Sequence, residues 1–139
     1  MPIIAVLEDE QRRISAIRTA ARQYFVGCEL RIFVSAREMI AWLSTVPSDV
    51  CILSLDCDLD LSAVSDNQCG TGEDVTAYLA SDRSDYSVLI HSSNAMRAPA
   101  MHMELILAGC RRVALCPFKD SDSWAADVRA HLDSTRTSH

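Results

Sequence analysis

Three aspartates, Asp56, Asp58 and Asp60, stand at alternate positions where the apolar run DVCILSL, Asp49 to Leu55, ends. Like charges so spaced repel one another, and the arrangement calls for bulk water or a bound cation. A second acidic group, Glu8, Asp9 and Glu10, follows the apolar run IIAVL, Ile3 to Leu7. If these two runs are neighbouring strands, about 4.8 Å apart, their terminal carboxylates converge on one point. A hard cation, Mg2+ or Mn2+, held by Glu8, Asp9, Asp56 and Asp58, then relieves the repulsion. Asp9 has a second reading, as the N-cap of the helix that follows it, and Asp60 reads as a solvated loop residue.

A third run, YSVLIH, ends in His91, Ser92, Ser93 and Asn94. His91 is a candidate acid or base near neutral pH, or a hydrogen-bonded core histidine. With Asp56 and Asp58 it makes up the catalytic set. Ser92, Ser93 and Asn94, with the backbone N–H groups of the next helix, are placed to hold phosphate oxygens, or to cap that helix. Thr71 and Gly72 bring a second helix start toward the site if the loop from Cys57 to Gly70 folds over it. Arg97 is the nearest cation to the end of the fourth strand.

The elements that must position these residues alternate five times along the chain. The strands are IIAVL, CELRIFV (Cys28 to Val34), DVCILSL, YSVLIH (Tyr86 to His91) and RVALC (Arg112 to Cys116). Several are apolar nearly throughout, as buried parallel strands are. Between them Ile14, Ile17, Ala21 and Phe25 mark one helical face. SARE, Ser35 to Glu38, is a capping box opening a helix with Met39, Ile40 and Leu43 inward. Thr71 caps a helix through Leu79. Pro99 stands early in a helix that Gly109 terminates, and Trp124, Val128 and Leu132 form the last stripe. The pattern predicts a single α/β domain over residues 1–134, a doubly wound (βα)5 parallel sheet covered on both faces, and a frayed tail over 135–139.

The composition excludes several classes. A formal net charge of -6 argues against DNA binding, which wants a basic surface. Six cysteines without a CxxC pair read as reduced, mostly buried thiols, an expectation of cytoplasmic location. Cys57 and Cys69 bracket the long loop and could pair under oxidation. His102 reads as a surface or boundary residue. The N-terminus lacks a basic leader and no apolar segment is long enough to span a bilayer, so neither a signal peptide nor a membrane anchor is expected.

The succession VLEDE, LSLDCDL, HSS and CPF resembles the receiver domain of bacterial response regulators across almost the whole chain. That resemblance implies a flavodoxin-like sheet of strand order 2-1-3-4-5, with magnesium bound at Glu8 and Asp9. It implies Asp56 as phosphoryl acceptor, Asp58 offering its backbone carbonyl to the metal, and Ser92 reading the phosphoryl group. Receivers end the fifth strand in Lys-Pro, whereas this chain has Cys116 before Pro117. Its only lysine, Lys119, lies past Phe118. Arg97 is a candidate replacement for the missing charge.

LDCDL, GTGEDV, LIHSSN and PF are similar, more closely, to the divergent cyclic-phosphate-processing receiver domains. This implies a metal-assisted site that processes a phosphate ester such as a cyclic phosphate. The alternatives are a stand-alone receiver phosphorylated at Asp56 in a phosphorelay, signalling to a partner protein, and a degenerate pseudo-receiver used for protein contacts.

Overall fold

The computed structural model describes residues 1–58, 70–82 and 85–137. The expectations for Asp60 and Cys69 fall outside them. Strands β1 (Ile3–Leu7), β2 (Glu29–Phe33), β3 (Val50–Leu55), β4 (Val88–Ile90) and β5 (Val113–Leu115) alternate with five helices. The helices are α1 (Gln11–Tyr24), α2 (Ala36–Leu43), α3 (Gly72–Asp82), α4 (Arg97–Leu107) and α5 (Ser121–Thr137). Every strand pairing is parallel and the order is β2-β1-β3-β4-β5. This is the doubly wound, flavodoxin-like sheet expected.

The period-two alternation of strand side chains divides the core into two layers. Ala5, Leu7, Leu53, Leu55, Val88 and Ile90 face Met39, Leu43, Val75, Leu79, Met101 and Leu105 of α2, α3 and α4. Ile4, Val6, Ile52 and Leu89 face Ile17, Ala20, Phe25, Trp124 and Val128 on the side of α1 and α5. Trp124 meets Phe25 edge to face at 6.2 Å between ring centroids.

Ser35 is the N-cap of α2, its Oγ accepting the Glu38 N–H at 3.3 Å. Gly109 closes α4 with φ 97°, a conformation that an L side chain resists, and its N–H donates to the Ile106 carbonyl. Helix α5 runs to Thr137, three residues into the segment expected to fray. The Trp124–Val128–Leu132 stripe anchors that helix on the core, and its last turn continues the same ladder. No helix of the described residues is long and apolar enough to cross a membrane.

A tight approach between a helix and the end of β3 occurs at Gly72. A Cβ added there would overlap the Asp56 carbonyl oxygen and come within 2.8 Å of the Cys57 Cα. Its N–H donates to the Cys57 carbonyl at 3.0 Å, so α3 begins directly against the end of β3. Gly72→Ala should therefore destabilise the domain by about 1–3 kcal/mol, the usual range for overpacking a site that cannot give way. Gly27→Ala, where an added Cβ has nothing within 4 Å, should change stability by no more than about 0.5 kcal/mol. Urea melts of both variants check the contrast.

Candidate functional site

Strand register brings the site together. Val6 pairs with Ser54, Leu7 with Leu55 and Leu55 with Ile90. One step further along, Glu8, Asp56 and His91 lie side by side. The backbone ladder continues to them: Asp56 N–H donates to the Leu7 carbonyl and His91 N–H to the Leu55 carbonyl. By the same alternation that buries Val6, Ser54 and Leu89, all three side chains turn toward the α1 and α5 layer. Glu8 and His91 are fully buried and Asp56 is 3% exposed. One ligand atom from each of the three lies within 4.8 Å of the others, a group able to hold a metal ion.

The cluster is wired on both sides. His91 Nε2 meets Glu8 Oε1 at 3.0 Å and Nδ1 meets Ser54 Oγ at 2.7 Å. Trp124 Nε1 donates to the same Ser54 oxygen at 3.0 Å. An indole only donates, so the Ser54 hydroxyl is free to donate its own hydrogen bond to Nδ1, leaving Nε2–H to face the Glu8 carboxylate. The other Glu8 oxygen accepts the N–H groups of Asp9 and Glu10, both at 3.2 Å. His91 therefore has no open nitrogen.

In front of Asp56 opens a cavity of about 540 Å³ lined by Asp9, Glu10, Gln11, Arg13, Asp56, Asp58, Ser92 and Ser93. Five of the residues singled out from sequence thus share one wall. The N-cap of α1 is Glu10 rather than Asp9: its carboxylate accepts the N–H groups of Arg12 and Arg13. The helix starts one residue later than the Asp9 cap reading requires, which leaves Asp9 at the cavity.

The other residues diverge. Asp56 and Asp58 would share a face had the strand continued, but β3 ends at Leu55 and the chain bends at Cys57. The exposed Asp58 carboxylate turns to α4, taking Arg97 Nη1 at 2.6 Å and Asn94 Nδ2 at 2.8 Å. Arg97 Nε also donates to Glu73 of α3. Asn94 Oδ1 accepts the Met96 and Arg97 N–H groups, so Asn94 caps the start of α4. Thr71 and Gly72 do not line the cavity; their N–H groups go to Asp74 Oδ2 at 2.8 Å and to the Cys57 carbonyl. Cys116 packs against the Trp124 layer and Lys119 is exposed.

Charge is unevenly settled across the pair. Burial drives Glu8 upward, but its hydrogen bond and electrostatic attraction to His91, the Glu10 N–H and Arg13 together hold it below the usual carboxylate range. Asp56 is pushed up to about 6, first by burial and then by the neighbouring Glu8 charge. Its Oδ1 accepts the Cys57 N–H at 2.8 Å, too little to restore it. Arg13 Nη1 stands 3.7 Å from Glu8 Oε1 and 3.8 Å from Asp56 Oδ2.

Fold and site together define a receiver domain, with the acidic end of β1 beside the aspartate that ends β3. Its solved-structure neighbours include the phosphorylated cyanobacterial phytochrome response regulator RcpA, at TM-score 0.71 and 16% identity over 99% of this chain and 96% of that one. A response regulator receiver protein from Burkholderia phymatum gives 0.60 and 23%, over 96% of each. A receiver domain protein from Clostridium thermocellum gives 0.68 and 12%, over 98% of each. At these identities the likeness is one of fold. The model of the cyclic-phosphate processing receiver domain matches residues 4–106 of the 139, and the chain belongs to that family. No curated protein matches it.

Sequence reading passed over Arg13, Ser54, Trp124, Glu73 and Phe118. Ser54 carried a signal, a lone hydroxyl inside the apolar run CILSL. Arg13 carried a weaker one, four residues after Asp9 on the first turn of a helix. Trp124 read as part of an apolar helical stripe, and Phe118 as part of the PF motif.

Asp56 makes a pH test possible. Its pKa of about 6 against 3.8 in the unfolded chain means that the fold binds its proton more tightly. That contribution is fully present below about pH 4 and is lost as pH rises through about 6. In metal-free buffer, Asp56→Asn should thus stabilise the domain at pH 8 by about 1–3 kcal/mol, with the gain shrinking toward pH 4. Urea melts at three pH values read it.

Proposed function

We propose that the domain binds magnesium or manganese and processes a phosphate ester, with a cyclic phosphate as the substrate class. The carrying observation is Asp56, a nearly buried carboxylate raised toward neutrality and opening onto a cavity shared with Ser92, Ser93 and Arg13. The family description supplies the substrate class.

The donor set fits a hard cation. Asp56 offers carboxylate oxygen at the cavity wall, Asp9 lies on the same wall, and Glu8 stands behind Asp56 as a fixed negative charge. Glu8 already accepts three hydrogen bonds, so it stabilises positive charge chiefly through its field. The Asp58 side chain is taken by Arg97 and Asn94, which leaves its carbonyl for the role that the resemblance implies. A bound divalent ion would polarise the phosphate and lower the pKa of a bound water.

The chain's own groups do the rest. A bound cation favours the ionised form of Asp56, so its carboxylate would serve there as a ligand and as an anchor facing the reacting phosphate. Ser92 and Ser93 can donate to phosphate oxygens, and Ser92 is held in place by the Asn94 N–H at 3.1 Å. His91 fixes the orientation of Glu8 and, with Ser54 and Trp124, keeps that charge where burial would otherwise neutralise it.

The second reading, phosphorylation of Asp56 in a relay with a signalling partner, is favoured by the position of Asp56 at the end of β3 with Ser92 at the end of β4. It lacks a cation from the end of β5, where Cys116 stands.

Incubation of the purified domain with a 2′,3′-cyclic nucleotide and Mg2+ or Mn2+ should open the ring, and Asp56→Asn should lower turnover by about 10²-fold or more. Turnover indifferent to both EDTA and Asp56→Asn would remove the proposal. An acyl phosphate on Asp56 after acetyl phosphate treatment, with no ring opening, would assign the site to the second reading. Metal binding alone should raise stability by about 2.7 kcal/mol at one hundred times its Kd, measured by thermal or urea melts with and without Mn2+.

A further inference from the structure

A phosphate group brought to Asp56 meets a surplus of negative charge, and the sequence locates no lysine at the end of β5 to offset it. Arg13 lines the cavity, and Arg97 stands behind one of its walls, on Asp58. Arg97 is committed, with Nη1 on Asp58 at 2.6 Å and Nε on Glu73. Arg13 is placed differently. Its Nη1 is equidistant, within 0.1 Å, from the two buried carboxylates, at 3.7 and 3.8 Å. Both separations exceed hydrogen-bond length. Among the described residues its guanidinium donates no hydrogen bond. The side chain is 30% exposed and lines the cavity with Asp56, Ser92 and Ser93. Phe118, two residues past the position of the receiver lysine, supports the guanidinium from beneath, 5.8 Å from ring centroid to Cζ.

We propose that Arg13 is the phosphate-binding cation of this site, reaching from α1 to do what the receiver lysine does from β5. This rests on the reading of the cavity as a phosphate site. The chemistry is that of a planar fork with five N–H donors, able to take two phosphate oxygens at once. Its donors make no hydrogen bond among the described residues, and its guanidinium carbon lies over the Phe118 ring. The same position makes Arg13 a competitor of the metal. Its charge already sits against Glu8 and Asp56, so a divalent ion enters against that repulsion.

These two roles give opposite signs on one substitution. With Mg2+ present, Arg13→Gln should weaken the binding of inorganic phosphate about tenfold or more, whereas Arg13→Lys should recover part of the loss. Mn2+ binding, followed by tryptophan fluorescence with no phosphate present, should tighten in Arg13→Gln. Arg97→Gln should change phosphate affinity less than about threefold, and near-UV circular dichroism verifies that each variant is folded. Phosphate affinity unchanged in Arg13→Gln, or no phosphate binding by the wild type with metal, would overturn the assignment. The parent reading fails separately. Arginine-dependent phosphate binding in a protein that opens no cyclic phosphate leaves Arg13 assigned and removes the enzyme. Ring opening at unchanged KM in Arg13→Gln, with unchanged phosphate affinity, does the reverse.

Discussion

Two carboxylates pressed together below the surface govern this molecule. Parallel pairing of β1 and β3 in their observed register leaves Glu8 and Asp56 adjacent, and both are buried. Such a pair cannot hold two full charges without help. The structure divides the burden unequally. Glu8 receives three hydrogen bonds and keeps its charge, and Asp56 receives one and is pushed toward neutrality. That asymmetry leaves one carboxylate of the pair titrating well above the usual carboxylate range.

The remainder of the fold serves to keep the asymmetry in place. Ser54 is a polar side chain inside an apolar layer, tolerated because Trp124 and His91 both bond it. Trp124 belongs to α5, so the last helix of the chain braces the first strand's carboxylate through three successive hydrogen bonds. On the opposite layer Gly72 lets α3 start against the Asp56 carbonyl, and the Arg97–Asp58–Glu73 group ties α3 and α4 to the loop after β3. The apolar core sets where the strands lie, and these polar ties set which way their terminal side chains point.

Much of this could be read from residue order alone, and the reason is periodicity. The five apolar runs and the helical stripes of Ile14, Ile17 and Trp124 reflect burial that one-dimensional spacing records. The acidic ends of β1 and β3 were legible because chemistry concentrates at strand ends in such sheets. What spacing does not record is where a strand stops. Asp58 departs from Asp56 because the chain bends at Cys57, and nothing in the alternation of LDCDL marks that bend. Nor does spacing say that His91 spends both nitrogens inside the protein, or that Thr71 and Gly72 spend their N–H groups on it. Arg13 was hidden for another reason: its second partner, Asp56, lies at the end of β3, and only assembly of the sheet brings it within reach.

Phe118 closes the side of the cluster where other receivers carry a charged side chain. Its ring stands at 67° to that of His91, 6.3 Å between centroids, and the same ring carries Arg13. The acidic pair is therefore walled by hydrocarbon on that side. Dissolved ions, which at physiological ionic strength damp surface charges over about 8 Å, reach it from the cavity and not through that wall. The exposed Arg97–Asp58 pair has no such wall. A rise in salt should loosen the rim of this site before its floor, giving one small domain two electrostatic regimes a few residues apart.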